Sequence, residues 1–479
     1  MATTTITQTT SHHEIQLSPY PSQPPPTDIE RARSQPIHSI LPAIQPSPKL
    51  NSILIVAASF TLTFTGCGIN FAFGVYQELY QSLADTSTPS NPSPFANASP
   101  ATIDLIGTLG VSLMTMFAPL AAAGCKAFSP RTITLLGAFL FALGLLLASY
   151  ATSLTGFLVT QGVLLGIGTC AAYIPAVTVA PGWFDQRRGL AMGVVLAGTG
   201  VGGVFWAPVI RLMNDSFGFR NGLRVLAGVG FVLIAGASFA MKWDAATLQR
   251  NRVELAGRTG LRRMRIPLVN WHLVRSRKFA AQALGCVLQA AAYYTPIYFF
   301  SAYSRVLGYS AASGANFIAM SNAASAVGKV VIGHLADRFG RLNTLAFCTV
   351  LSAVTALGLW LPSTLTAGEE KARILFAMFA ITYGIFAGAY ISLFPIALVE
   401  LFGVQNFSSV NGVLYMLRGF GSLIGTPTAG ALLRDGPGSA SMGYEKLSTM
   451  VGTLMAGAAV AVLWVRIESV DLRAPRWRA

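Results

Sequence analysis

Two cations stand inside long apolar stretches, where an ionisable side chain is costly and marks a candidate site. Arg418 lies in the run Tyr415-Met416-Leu417-Arg418-Gly419-Phe420-Gly421, about 3–5 Å from the midpoint of its apolar stretch by the helical rise. A guanidinium stays charged and presents a fork of donors, which suits a carboxylate, a phenolate or an enolate. The same residue would serve equally as a structural arginine bonded to carbonyls of a broken neighbouring helix, and the sequence leaves both roles open. Lys329 sits about one turn from the end of another apolar stretch, where it either contacts a ligand or snorkels to the interface. Glu78 and Glu400 fall near the ends of their stretches. The interior is therefore expected to be net positive and to favour anions or polar neutrals. A proton relay would have Glu78, Glu400 or the ligand's own acid to work with.

Polar and aromatic residues in the same stretches complete the candidate lining: Asn70 and Gln77, Gln161, Gln289, Asn322, and Tyr293, Tyr294 and Tyr298 around Pro296. The substrate-binding set is Arg418, Lys329, Asn70, Asn322 and Tyr294; each polar member has helix–helix hydrogen bonding as its alternative. Enzymatic chemistry finds no support. The five histidines are His12, His13, His38, His272 and His334, and they form no H-E-x-x-H or nucleophile–base pair. The glycine-rich Gly198-Thr199-Gly200-Val201-Gly202-Gly203 lies in an apolar run with no strand before it, so it is not a dinucleotide loop. The five cysteines form no C-x-x-C and read as packing residues. No cofactor and no metal are expected.

These residues must be positioned by membrane helices. Of 479 residues, 53% are hydrophobic and 11% charged, and the mean hydropathy is +0.56; soluble domains carry roughly 25% charged residues. A span needs about 20 apolar residues, and candidate runs lie near 52–80, 102–124, 131–150, 154–180, 189–211, 222–241, 279–303, 312–334, 343–362, 373–399, 408–432 and 446–465. The expected fold is all-α, a polytopic protein of twelve transmembrane helices in two six-helix bundles. Residues 1–50 form a Pro/Ser/Thr-rich cytosolic tail that cannot bury enough apolar surface to fold. The bundles occupy 51–242 and 278–466, and 467–479 is a second cytosolic tail. With both termini inside, 23 of the 33 Lys and Arg fall on inner segments and eight on outer ones, as the positive-inside rule requires. The expected location is the plasma membrane. Asn97-Ala98-Ser99 is an N-glycosylation sequon on the outer loop, with Pro100 directly after it.

The linker 243–277 carries Arg250, Arg252, Arg258, Arg262, Arg263 and Arg265 with few acids. It suits the anionic inner leaflet better than nucleic acid, having no aromatic interleaving; no nucleic-acid partner is expected. The halves echo one another at a period of roughly 210 residues, as paired transporter halves do. Gly124-Cys125-Lys126 through Arg131 answers Gly333 through Arg341, and Trp183 through Gly193 answers Leu401 through Gly412.

Gly333-His334-Leu335-Ala336-Asp337-Arg338-Phe339-Gly340-Arg341 resembles the G-x-L-A-D-R-x-G-R loop of the major facilitator superfamily. The resemblance implies gating roles for Asp337, Arg338 and Arg341, with Asp337 accepting hydrogen bonds from helix N-termini. The N-half copy has no acid, which leaves Arg187 and Arg188 as gating candidates there. Trp183-Phe184-Asp185-Gln186-Arg187-Arg188-Gly189 resembles the monocarboxylate-porter signature, which usually reads Tyr-Phe-x-Lys-Arg-Arg. With Asn70 and Phe73-Gly74-Val75-Tyr76, the chain resembles fungal monocarboxylate-porter-like proteins. This implies alternating-access transport of a small organic, anionic solute: efflux of a fungal secondary metabolite, or uptake of a monocarboxylate or a vitamin such as riboflavin. Against the family pattern in the eighth span, Lys329 stands at the arginine position and Ser325 at the acid position. Protons as a coupling ion are thereby left open.

Overall fold

The computed structural model describes residues 49–87, 93–96, 98–184, 187–257, 271–366, 369–434 and 440–469. The N-terminal tail through residue 48, Asn97 and the basic stretch 258–270 lie outside the described residues.

The described residues are mostly helical, with no strand among them. α1 is Lys49–Asp85, α2 is Pro100–Met116 with Ala118–Ala127, α3 is Pro130–Ala148 and α4 is Leu154–Trp183. α5 is Arg188–Phe217, α6 is Phe219–Ser238, and the linker contributes the short helix α7, Ala245–Leu255. α8 is Arg277–Val306, α9 is Ala311–Phe339 and α10 is Arg341–Leu365. Glu369–Arg434 is two helices, α11 (369–402) and α12 (404–434), broken at Gly403 with φ +75°. α13 is Ala440–Ser469. Among the described residues, length and hydropathy qualify nine helices as membrane spans, or ten when the pair in α2, bent by 43°, is one span. That number treats α11 and α12 as one and omits α8, whose 30 residues are made more polar by glutamines and tyrosines.

Local sequence sets the boundaries. Five helices open on a serine whose hydroxyl accepts a backbone N–H three residues on: Ser99, Ser129, Ser153, Ser276 and Ser310. Two of these are followed by proline at the first helical position, where its missing N–H costs nothing. The tight corners between α9 and α10 and between α11 and α12 turn on Gly340 and Gly403, at φ +92° and +75°, a backbone conformation that strains other residues.

Large apolar side chains such as Phe139, Val232, Phe347, Ile424 and Val460 are more than half exposed on the outer surface of the bundle. On a protein in water such a surface would be sticky; here it is the face offered to lipid.

α5 crosses α9 with almost no space between backbones. A Cβ built on Gly189 would lie 2.2 Å from the Gly333 oxygen, and one on Gly193 would lie 2.4 Å from the Lys329 oxygen. α2 meets α12 similarly, and there Ser112 Oγ and Ser422 Oγ are 3.0 Å apart. Small residues permit this contact, and close backbone packing is the main attraction between helices in lipid.

Candidate functional site

A cavity of about 480 Å³ opens among α1, α2, α5, α8 and α9, with the last residues of α12 and the first of α13 at its rim. It lies at the end of the bundle that the Lys/Arg distribution assigns to the outside. Its walls carry Phe71, Tyr298, Gln77 and Asn316, together with Glu78, Asp104, Arg211 and Arg305. Glu78 pairs with Arg211 at 3.3 Å, both about half exposed. By formal charge this wall holds two carboxylates and two cations.

At the opposite end, Asp337 at the end of α9 accepts hydrogen bonds from the backbone N–H of Gly189 (2.8 Å) and Leu190 (2.9 Å), in the first turn of α5. Arg341 lies 3.5 Å from the same carboxylate. A carboxylate there meets orphan N–H groups and the positive end of the helix dipole. Arg188 donates from Nε to the carbonyls of Pro181 (3.0 Å) and Phe184, holding the end of α4 against the start of α5. Arg187 and Arg338 are exposed. The structure thus brings Asp337 and Arg341 onto the α5 terminus and leaves Arg187 and Arg338 at the surface.

The five expected substrate ligands occupy different settings, and none lies on the wall of the outer cavity. Arg418 is 4% exposed, with its guanidinium 5.1–5.8 Å from the ring centres of Tyr390, Phe394 and Tyr415. Its Nη1 has no hydrogen-bond partner among the described residues. The Tyr415 hydroxyl meets that of Tyr173 on α4 at 3.2 Å. Lys329 is 1% exposed and donates to Thr199 Oγ1 at 2.6 Å; that hydroxyl in turn donates to the Leu196 carbonyl. Among the described residues no carboxylate pairs with Arg418 or Lys329.

Tyr294 sits beneath the cavity floor, packed edge-on against Phe71 and stacked on Tyr298. Asn322 lies behind Gly203, a wall residue, with its Nδ2 unpartnered. Asn70 does something else. Its amide donates to the Gly66 carbonyl and to Thr169 Oγ1, both at 2.9 Å, and so ties α1 to α4. The tie sits just past the π-helical stretch Thr63–Cys67, the kind of irregularity a polar cross-link stabilises.

Sequence reasoning missed Asp104. It lies in the second turn of α2 and reaches the cavity with one carboxylate oxygen unpartnered. The available signal was its position: the acid falls within the apolar run 102–124 itself. Also missed was the attachment of the linker: Trp243 Nε1 donates to the Cys125 carbonyl, and Lys126 pairs with Glu254 on α7.

The family model described as Major Facilitator Superfamily matches residues 53–426. The chain is 25% identical to "MFS transporter asaE" of Aspergillus flavus, covering 90% of each chain. It is 26% identical to "Agnestins efflux protein AgnL12" of Paecilomyces divaricatus, over 97% of this chain and 98% of that one. Human monocarboxylate transporter 12 is 29% identical over 67% of this chain and 66% of its own. In fold, the chain is similar to the crystal structure of the human organic anion transporter MFSD10, with TM-score 0.59 and 14% identity over 86% of this chain and 99% of that one. A bundle of membrane-length helices with an outer cavity, an acid-capped inner crossing and a matching family model leads to one assignment: the chain is a multi-pass membrane protein of the Major Facilitator Superfamily.

Proposed function

We propose that this protein is a secondary active transporter that moves a small organic acid across the plasma membrane by alternating access, exporting a fungal secondary metabolite. The carrying observation is the pair of buried cations without a carboxylate partner, Arg418 and Lys329. An unpaired buried charge carries a desolvation penalty of several kcal/mol, which an entering carboxylate offsets. The ring cage around Arg418 adds apolar faces for a flat organic body, and the outer cavity with its capped inner crossing supports an outward-facing state. Export is favoured by the fungal relatives, of which one is named as an efflux protein. Uptake of a monocarboxylate or a vitamin is the second reading, favoured by the similarity to monocarboxylate transporter 12. The test is competition for flux in proteoliposomes with benzoate and 3,5-dihydroxybenzoate as probes. Removing a charge that pairs with a buried partner costs about 2–5 kcal/mol, so Arg418→Gln is expected to weaken both acids by tenfold or more, and Lys329→Ala to weaken them as well. Unchanged affinity in both variants removes these cations from the site and the anion reading with them.

A further inference from the structure

Three amides deep in the C-terminal helices have polar atoms with nothing to bond. Gln282 and Gln289 on α8 and Asn411 on α12 are 0%, 1% and 0% exposed. Neither the oxygen nor the nitrogen of any of them has a hydrogen-bond partner among the described residues. Each buried unsatisfied group costs about 1–3 kcal/mol, and amides inside helical bundles ordinarily bond across helices. These do not. Native structures leave few such groups, and those that persist call for a role.

The spacing aims them at one place. Gln282, Cys286, Gln289 and Tyr293 recur at intervals of four, three and four, so they share one face of α8. Asn411, Tyr415, Arg418 and Ser422 do the same on α12. The two helices touch between these faces, where the Cys286 thiol lies 3.6 Å from the Leu414 carbonyl. Arg418 is within electrostatic reach of both Cys286 and Tyr293. Both helices run from the inner end outward, so Asn411 lies about 10 Å inward of Arg418 by the helical rise, on the side that the α5–α9 crossing seals.

We propose that Gln282, Gln289 and Asn411 form the hydrogen-bonding wall of the inward-facing half of the substrate site, and that they select an aromatic acid bearing hydroxyl or carbonyl groups over a bare one. The inference rests on the reading of Arg418 as the carboxylate ligand. Each amide offers both a donor and an acceptor, so the wall recognises hydroxyls in either sense, while Tyr390, Phe394 and Tyr415 supply ring faces beside the guanidinium. In the inner-closed conformation the wall is folded away. Rocking of the halves brings it to the ligand.

The experiment measures, in proteoliposomes, the ratio of inhibition constants for benzoate and 3,5-dihydroxybenzoate. A site built to bond a hydroxyl rejects the analogue lacking it strongly, so the unaltered protein is expected to prefer the dihydroxy acid by about tenfold or more. Gln289→Leu and Asn411→Leu, made separately, are expected to bring the ratio within about threefold of one. An unchanged ratio in both variants overturns the proposal and leaves the amides as packing groups. So does the absence of any preference in the unaltered protein. Should a leucine variant fail to fold, Gln289→Met keeps the volume and shape and carries the same expectation. If Arg418→Gln leaves both acids unaffected, the anion reading fails. If that variant loses both acids while the leucine variants keep the ratio, only the present inference fails.

Discussion

Replacing Asp337 by alanine tests the proposal that this acid locks the crossing of α5 and α9. In the inner-closed state its carboxylate accepts two backbone N–H bonds, at 2.8 and 2.9 Å, and its side chain is 9% exposed, so solvent screens it little. Hydrogen bonds to a charged group contribute about 1.5–3 kcal/mol each. Allowing for non-additivity, and for water that solvates the carboxylate once the crossing parts, the substitution shifts the balance toward the inner-open state by about 2–4 kcal/mol, or about 30- to 700-fold. Cys286 is a native reporter, fully buried where α8 packs against α12. Its alkylation by N-ethylmaleimide proceeds through the minor open state, so its rate follows the population of that state. Mass spectrometry resolves it from the other four cysteines, which are likewise buried. The expected result is alkylation of Cys286 accelerated by about 30-fold or more, with Cys348 and Cys170 unchanged. A rate within threefold of the unaltered protein would refute the assignment of Asp337 as a lock, and equal acceleration at all five cysteines would show global unfolding instead.

Further outcomes follow from neighbouring contacts. Gly189→Ala places a methyl 2.2 Å from the Gly333 oxygen; overpacking of this kind costs about 1–3 kcal/mol, so Cys286 alkylation should quicken by roughly fivefold or more, measured in the same way. Glu254→Gln breaks the ion pair with Lys126, in which the glutamate is 56% exposed. Exposed pairs contribute about 0.2–1 kcal/mol, so alkylation and melting temperature should hardly move, and a large change would mean that the linker helix takes part in gating.

The helices were legible because membrane spans announce themselves by length and apolarity, and because serine and glycine mark their ends. The α11–α12 corner falls where the two apolar runs part, and Asp337 was legible because a whole loop motif surrounds it. The direction in which an intramembrane polar residue points was much less legible. Asn70 looked like a lining residue, yet a hydroxyl on α4, 99 positions away in sequence, captures its amide. Sequence shows Asn70 and Thr169 but not that they meet. Asp104 was overlooked although it lies inside the apolar run 102–124, because it stands at the outer end of that run, where an acid ordinarily meets water. Arg418 and Lys329 were found because charge in an apolar run is rare, but their enclosure by rings and by Thr199 depends on tertiary packing that periodicity does not encode.

On the alternating-access mechanism proposed above, the unpaired amides and the Asp337 cap act on the same equilibrium with opposite sign. In that proposal, sealing the inner face strands polar atoms in a dry interior, like compressing a spring, and the carboxylate on the first turn of α5 would be the catch. On that reading neither contribution dwarfs the other, so a modest ligand free energy suffices to tip the balance either way.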